Sequence, residues 1–449
     1  TDEQAEFPVV YAVGLEGHAG ASPNSVQPHL SPLFETILAE IPGPQVDPDA
    51  PARLQVTTLE YDNYKGQIGV GRLLSGVMRR GMNAVRLTPQ GEREEGKIVY
   101  LFTYHNLARQ EVEEARAGDI VAIGGFDELG ISDTIADPAV EQALPAIAID
   151  EPTVSVTFSP NTSPFAGREG SYVTSRHLAD RLERELLVNV ALRVEPLGSE
   201  RYRVSGRGEL HLSILIETMR REGYEFSVSR PEVIQREENG VRLEPFERVV
   251  ADVPNSAMGS VMEALATRKG TLRHMEPGEA RSRLEYRIPS RGLFGFRTIF
   301  LSMTQGEGML NHVFDGYEPF AGDVHTRNHG SLVAMEPGEA FAYSIYKLSD
   351  RGDFFITPGT EVYVGMIVGA NSRQGDLNIN VTKNKKLTNV RAAGSDENLI
   401  LIPPRRMSLE ECLEYLGDDE LLEVTPKSLR LRKRVLEPNM RKKEAKTAA

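Results

Sequence analysis

Several residues able to do chemistry stand at spacings that resemble parts of a nucleotide site. Gly91-Glu-Arg-Glu-Glu-Gly96-Lys97-Ile98 matches most of a phosphate-loop pattern. In such a loop, glycines and a lysine cradle phosphate and a final Ser or Thr holds magnesium. Here the final position is Ile98, and three of the four intervening residues are glutamates, which repel phosphate at close range. The segment also leads into an expected strand, whereas a phosphate loop leads into a helix. Asp127-Glu-Leu-Gly130 has the form of a GTPase DxxG motif but is short enough to arise by chance. Asn384-Lys385-Lys386-Leu387 lacks the aspartate that would read guanine. No phosphate loop, magnesium site or complete guanine pocket is expected, and no catalytic residue is assigned. His325 and His329 lie four apart without a helical pattern or nearby acids and thiols, so they read as surface or packing residues rather than metal ligands. Cys412, the single cysteine, falls on the apolar face of an expected helix and reads as a buried structural thiol.

The remaining polar signals point to anions. Ser205-Gly-Arg207-Gly-Glu209 joins a strand to a helix. It reads either as a tight turn that needs glycine or as an arginine presented where helix amides also favour anions. The formal net charge of −14 argues against a generally basic surface, but the cations are unevenly placed. Residues 373–391 hold Arg373, Lys383, Lys385, Lys386 and Arg391 against Asp376 alone. Asn384 and Asn389 stand beside them, able to reach bases or ribose. Residues 427–446 hold a second basic run that includes Arg432, Lys433 and Arg434, after an acidic block from Glu410 to Glu423. Each run reads either as a solvated segment or as a contact for RNA phosphates. Neither has the interleaved aromatics of a single-strand stacking platform.

The elements that must position these residues fall into five segments. Residues 1–45 contain Pro8–Val13, an apolar run that reads as a buried strand. A helix follows with Ser31 as N-cap, Pro32 next, and Leu33, Phe34, Ile37, Leu38 and Ile41 as its stripe. One strand and one helix make no core alone, so this segment reads as the end of an α/β domain whose front is absent. Residues 46–143 alternate short strands with glycine turns, the pattern of a small β-barrel. Residues 144–235 read βαββαβ, the ferredoxin-like plan, with Leu178, Leu182 and Leu186 on one helix. Leu212, Leu215, Ile216 and Met219 face inward on the other. Residues 236–322 repeat that order. Residues 323–449 read as a β-rich domain with strands that include Ala340–Lys347, a helix capped by Ser408 with Glu411, and a basic, unstructured tail after Lys442.

These pieces carry a resemblance over almost the whole chain. Gly66-Gln-Ile-Gly-Val-Gly-Arg-Leu-Leu-Ser-Gly76 and Ala117-Gly-Asp-Ile-Val-Ala122 resemble the second-domain barrel of translational GTPases. Val204-Ser-Gly-Arg-Gly-Glu-Leu-His-Leu212 resembles the third domain of elongation factor G. Ile288-Pro-Ser-Arg-Gly-Leu-Phe-Gly-Phe296 resembles its fifth, with no room for a fourth between them. Lys385-Lys-Leu-Thr-Asn-Val-Arg-Ala-Ala-Gly-Ser-Asp-Glu397 and Glu420–Arg434 look like the C-terminal domain of the BipA/TypA family. Tyr11-Ala-Val-Gly-Leu-Glu-Gly17 resembles a guanine-contacting loop, with Val13, Gly14 and Leu15 as its remnant, where the family usually has Ser-Ala.

The resemblance implies a multidomain α+β protein: a GTPase-domain remnant, a β-barrel, two ferredoxin-like domains and a β-rich C-terminal domain. It implies a ribosome-dependent GTPase that acts near the A site and assists large-subunit assembly under stress. Its partners would be the large subunit and the 70S ribosome, ribosomal RNA and the acceptor end of tRNA. Arg207 and Arg291 would face the ribosome or a neighbouring domain. GTP and magnesium belong to the full-length relative, and none is expected in this chain, which should be inactive alone. The lone thiol and the lack of an apolar span place the chain in the cytoplasm, away from membranes, as a monomer. Two alternatives stay open: a translocase like elongation factor G, and a non-ribosomal interaction protein that reuses the same folds.

Overall fold

A computed structural model describes residues 7–62, 64–106, 108–147, 151–322, 324, 329–384 and 401–448, without the side chains of 442 and 445–448. The chain divides into two compact units, Thr1–Ile147 and Ala148–Ala449.

In the first unit, Tyr11–Val13 pairs antiparallel with His18–Gly20. The expected buried strand is instead exposed along this hairpin. Ser31–Glu40 is a helix, but its N-cap is Leu30 and Ser31 caps nothing. None of its residues is buried, and Phe34, Ile37, Leu38 and Ile41 are exposed. An apolar stripe is buried only where another element covers it, and none does so among the described residues.

The rest of this unit is a two-stranded sheet, Val77–Arg79 paired with Glu114–Arg116, and a separate eight-stranded antiparallel sheet. Its order is Arg93–Lys97, Asn83–Leu87, Thr134–Ala136, Arg53–Asp62, Gly66–Ser75, Ile120–Gly124, Tyr100–His105 and Ala108–Glu111. Leu54, Val56, Leu73, Leu101, Val121, Ile123 and Ile135 meet in its core. Alternation along Gly66–Ser75 is partly replaced by glycine for a steric reason: a Cβ on Gly71 would lie 1.8 Å from the Gln55 carbonyl oxygen. The phosphate-loop look-alike is sheet here. Gly91 turns with φ +95°, and Arg93–Lys97 pairs with Asn83–Leu87.

Among the described residues the second unit holds three larger sheets and a two-stranded one, Gly338–Glu339 with Glu361–Val362. The first has the order Arg193–Pro196, Tyr202–Gly206, Val154–Pro160, Phe226–Val228, the strand order of the ferredoxin-like plan. The helices Ser175–Leu186 and Glu209–Arg221 pack on it through Leu178, Leu182, Leu212, Leu215, Ile216 and Met219, while Leu186 is left exposed. The second sheet sets Met309–Pro319, Val241–Pro254, Arg281–Pro289 and Thr271–Pro277 in the same relative order. Its helices are Met258–Thr267 and Phe296–Met303, and Val261, Leu265, Phe296 and Phe300 fill the core.

Residues 329–384 form a small sheet of Gly352–Phe354, Ile367–Asn371, Ser331–Ala334 and Leu377–Ile379, the last pair parallel. Ala340–Lys347, expected as a strand, is helical over Ala342–Lys347. Burial of Ser344 and Ile345, with Ser344 Oγ donating to the Lys383 carbonyl (2.5 Å), decides this against local β preference. The C-terminal segment is not a separate layer. Glu420–Val424 pairs with Phe226–Val228, and Leu429–Lys433 follows it, so a hairpin remote in sequence extends the first ferredoxin-like sheet. Leu409, Cys412, Leu413 and Leu416 enter the same core. Their helix, Leu409–Tyr415, starts at the expected capping box: Ser408 Oγ accepts from the Glu411 N–H (3.2 Å) and Glu411 accepts from the Ser408 N–H (2.8 Å). The tail expected to lack structure is helical over Pro438–Ala448, and its Arg441 bonds the Val435 and Leu436 carbonyls and Asn378.

Candidate nucleic-acid interface

Of the basic segment after Leu377–Ile379, Lys383 and Asn384 are exposed as the chain leaves the small sheet. Lys385, Lys386, Asn389 and Arg391 lie outside the described residues. Arg373 is exposed on the turn before the same strand, whose geometry is held by Asn371: its Oδ1 accepts from the Arg373 N–H (3.3 Å) and its Nδ2 donates to the Gly375 carbonyl (2.7 Å). Three exposed cationic or polar residues, Arg373 on one side and Lys383 and Asn384 on the other, therefore flank one strand, Leu377–Ile379, within the sheet.

The second basic run divides by burial. Arg434 is exposed. Arg432 and Lys433 are not available to RNA, contrary to expectation, for each is only 2% exposed. Arg432 lies against Glu423 (3.5 Å) and donates to Thr162 Oγ1 (3.1 Å). Lys433 Nζ meets Asp376 (2.5 Å), Glu420 (2.9 Å) and Asp419 (3.1 Å). Burial opposes the charge on Lys433, but Glu420 and Asp376 outweigh it and hold the ammonium above the ordinary lysine value. In the Glu420–Lys433 hairpin Arg432 stands opposite Leu421 and Lys433 opposite Glu420, and at such burial a charge persists only if paired.

Arg207 is exposed, and its turn is built for close packing. A Cβ on Gly206 would sit 2.8 Å from His211 Nδ1, and the Arg207 N–H donates to that nitrogen (3.2 Å). Burial and then Arg207 hold His211 below its ordinary value, so it stays neutral, and Nε2 donates to Asn189 Oδ1 (3.2 Å). Both readings of this segment thus meet in one geometry: the glycine makes the turn and the arginine is presented from it. The sequence reading missed His211; its signal was a histidine four residues after the arginine, one helical turn away.

Arg291 does not face outward. It pairs with the fully buried Glu244, bonds the Gly322 carbonyl and lies over the Phe320 ring, all within residues 236–322. Glu244 also accepts from the Ala321 N–H (2.8 Å). This pair ties the start of one strand to the end of the last, so Arg291 is a structural residue.

Val13, Gly14 and Leu15 are exposed in the small N-terminal hairpin, where the Glu16 N–H donates to the Val13 carbonyl (3.2 Å). Asp127–Gly130 lies between strands, and its Gly130 N–H is taken by Asp133 (2.7 Å). With the phosphate-loop look-alike in a sheet and the Gly130 N–H committed to Asp133, residues 91–98 and 127–130 do not fit the phosphates of GTP or magnesium. Cys412 is buried, and burial, reinforced by Glu411, pushes its thiol up to about 12, which leaves an unreactive packing residue. Among the described residues no helix is long and apolar enough to cross a membrane.

Known proteins match the chain along these same segments. A model described as the TypA/BipA C-terminal domain matches residues 329–438. One for the elongation factor G C-terminus matches 241–328, and one for elongation factor Tu domain 2 matches 66–136. The large ribosomal subunit assembly factor BipA of Salmonella typhimurium is 49% identical over 446 residues, 99% of this chain and 74% of that protein. The BipA of Bacillus subtilis is 49% identical over 448 residues, 99% of this chain and 73% of its own length. That of Synechocystis is 50% identical over 434 residues, 96% and 73% respectively.

The chain belongs to the BipA/TypA family. Its translation-factor modules succeed one another as the sequence motifs indicated. The elongation factor G match ends at residue 328 and the TypA/BipA match begins at 329.

Proposed function

We propose that this chain is the ribosome-docking body of a large-subunit assembly factor. Lys383, Asn384 and the cations up to Arg391 would reach ribosomal RNA and the acceptor end of tRNA near the A site. Family membership supports ribosome association, because the relatives are named large ribosomal subunit assembly factors. The observation that carries the RNA reading is the exposure of Arg373 and Lys383 on either side of one strand, Leu377–Ile379, of an otherwise acidic protein. Arg207 and Arg434 are further exposed contacts. GTP hydrolysis, with magnesium, would belong to a full-length protein of which residues 1–45 form the end of the nucleotide domain and Val13–Leu15 part of the guanine loop. We place the protein in the cytoplasm, as a monomer that acts on the 70S ribosome or its large subunit during stress. The domain limits read from sequence, 46–143, 144–235, 236–322 and 323–449, serve as working boundaries, with the 420–433 hairpin shared between the second and fourth.

Co-sedimentation with purified large subunits tests this reading. The wild type should pellet, and a variant with Lys383, Lys385, Lys386 and Arg391 changed to Glu should stay in solution. Binding should also weaken as salt rises, with a slope in proportion to the phosphates that these few cations neutralise. A variant that pellets as well as the wild type would remove this segment from the interface.

A further inference from the structure

A cleft of about 700 Å³ opens between the Glu209–Arg221 helix, the Glu420–Lys433 hairpin and the segment 404–407. Its size falls in the range of small-molecule clefts, roughly 300–1,000 Å³. Arg220, Arg405, Arg406, Lys427 and Arg430 line it, and no carboxylate does. Two of the five are committed to the fold: Arg220 to Glu217 (3.0 Å) and the Thr425 carbonyl (2.9 Å), and Arg430 to Glu169. Arg405 has only a loose partner, Glu411 at 3.8 Å. Arg406 and Lys427 are exposed and have no ion-pair partner among the described residues. The floor is apolar, with Ile356, Met366 and Leu431 buried beneath a half-buried Phe355. At the rim the hydroxyls of Thr357 and Thr360 lie 3.2 Å apart.

In a chain of net charge −14, a cleft wall with two unpaired cations and a loosely paired third favours an anion. An apolar floor beneath them favours a ligand that also carries a flat, poorly hydrated body. We propose that this cleft binds a nucleotide: the base lies on Phe355, Ile356 and Met366, the phosphate meets Arg405, Arg406 and Lys427, and Thr357 and Thr360 meet the polar edge of the base or the ribose. The nucleotide can be free or an unpaired residue of an RNA strand, and the chemistry of recognition is the same. Lys383 and Asn384 do not line the cleft, and the proposal does not rest on the ribosomal reading.

The test uses the whole chain without ribosomes. Equilibrium dialysis measures ADP, and fluorescence anisotropy measures a labelled hexauridylate. Each is compared with its base-free counterpart, pyrophosphate for ADP and an abasic hexamer for the RNA. At least one probe is expected to saturate one site and to bind about tenfold or more tighter than its base-free counterpart. The exposed double variant Arg406→Glu, Lys427→Glu should lose about tenfold or more in affinity. A double variant with the same charge change elsewhere, Arg201→Glu, Lys347→Glu, should bind as the wild type does. Tighter binding of ADP assigns the site to a free nucleotide, and tighter binding of the hexamer assigns it to RNA. Absence of binding by both probes overturns the proposal. So does equal affinity for the base-free forms, or full binding by the Arg406→Glu, Lys427→Glu variant.

Discussion

Replacing Glu209 by glutamine should stabilise the protein in mild alkali and leave it unchanged in acid. Glu209 opens the Glu209–Arg221 helix, where the helix dipole favours a carboxylate by ~0.3–1 kcal/mol. Its surroundings favour the opposite. The residue is half-buried, yet its Oε1 is sealed from solvent with no hydrogen-bond partner among the described residues. Burial first, then Glu414 and Glu410 of the Leu409–Tyr415 helix, push it from 4.5 up to about 8, and His312, itself paired with Glu247, opposes them only weakly. Glu414 is likewise raised to about 7, chiefly by burial. A folded-state value above the unfolded one means that the native state holds a proton the unfolded chain releases. The stability is therefore fully present below pH 4.5 and drains away as pH rises towards about 8. At ~1.4 kcal/mol per pH unit the whole interval corresponds to ~5 kcal/mol. Screening near the surface of the unit reduces this to ~2 kcal/mol. Glutamine keeps the shape and removes the ionisation. The assay is urea unfolding at about pH 5 and about pH 8.5, read by hydrogen-exchange protection of the 209–221 helix. The Gln variant should gain ~2 kcal/mol at the higher pH and almost nothing at the lower. A variant no more stable than the parent at the higher pH would show that Glu209 is solvated and charged, and would refute the reasoning.

Two further substitutions probe the fold. Lys433→Met leaves Glu420, itself 2% exposed, without its buried cation, and should cost ~3–5 kcal/mol, seen as a fall in Tm. An unchanged Tm with weaker ribosome binding would instead restore Lys433 as an RNA contact. Gly71→Ala forces a methyl group into the Gln55 carbonyl and should destabilise the eight-stranded sheet by ~3 kcal/mol. Wild-type thermal unfolding of that variant would disprove the close approach of the two strands.

Much of the architecture was legible because it is written in local patterns. The 3.6-residue spacing of Leu212, Leu215, Ile216 and Met219 predicts a buried helix face, and all four are buried. Ser408 with Glu411 predicts a capping box, and both hydrogen bonds are present. The failures have one cause. Phe34, Ile37 and Leu38 form as good a stripe as any, yet periodicity does not say whether a partner covers it. Ala340–Lys347 reads as strand by alternation, and a long-range bond from Ser344 to Lys383 makes most of it a helix.

Charge shows the same division. By itself the sequence determined the order of modules, the family, the uneven placement of cations and the absence of a working phosphate loop at residues 91–98. It could not separate Arg432 and Lys433, which are sealed in ion pairs, from Arg434 beside them, which is exposed. Nor could it separate Arg291, locked onto Glu244, from the exposed Arg207. A guanidinium or ammonium group has the same chemistry in every position. Whether it meets water, a buried carboxylate or a cleft wall depends on residues dozens to hundreds of positions away, and only the tertiary structure brings them together.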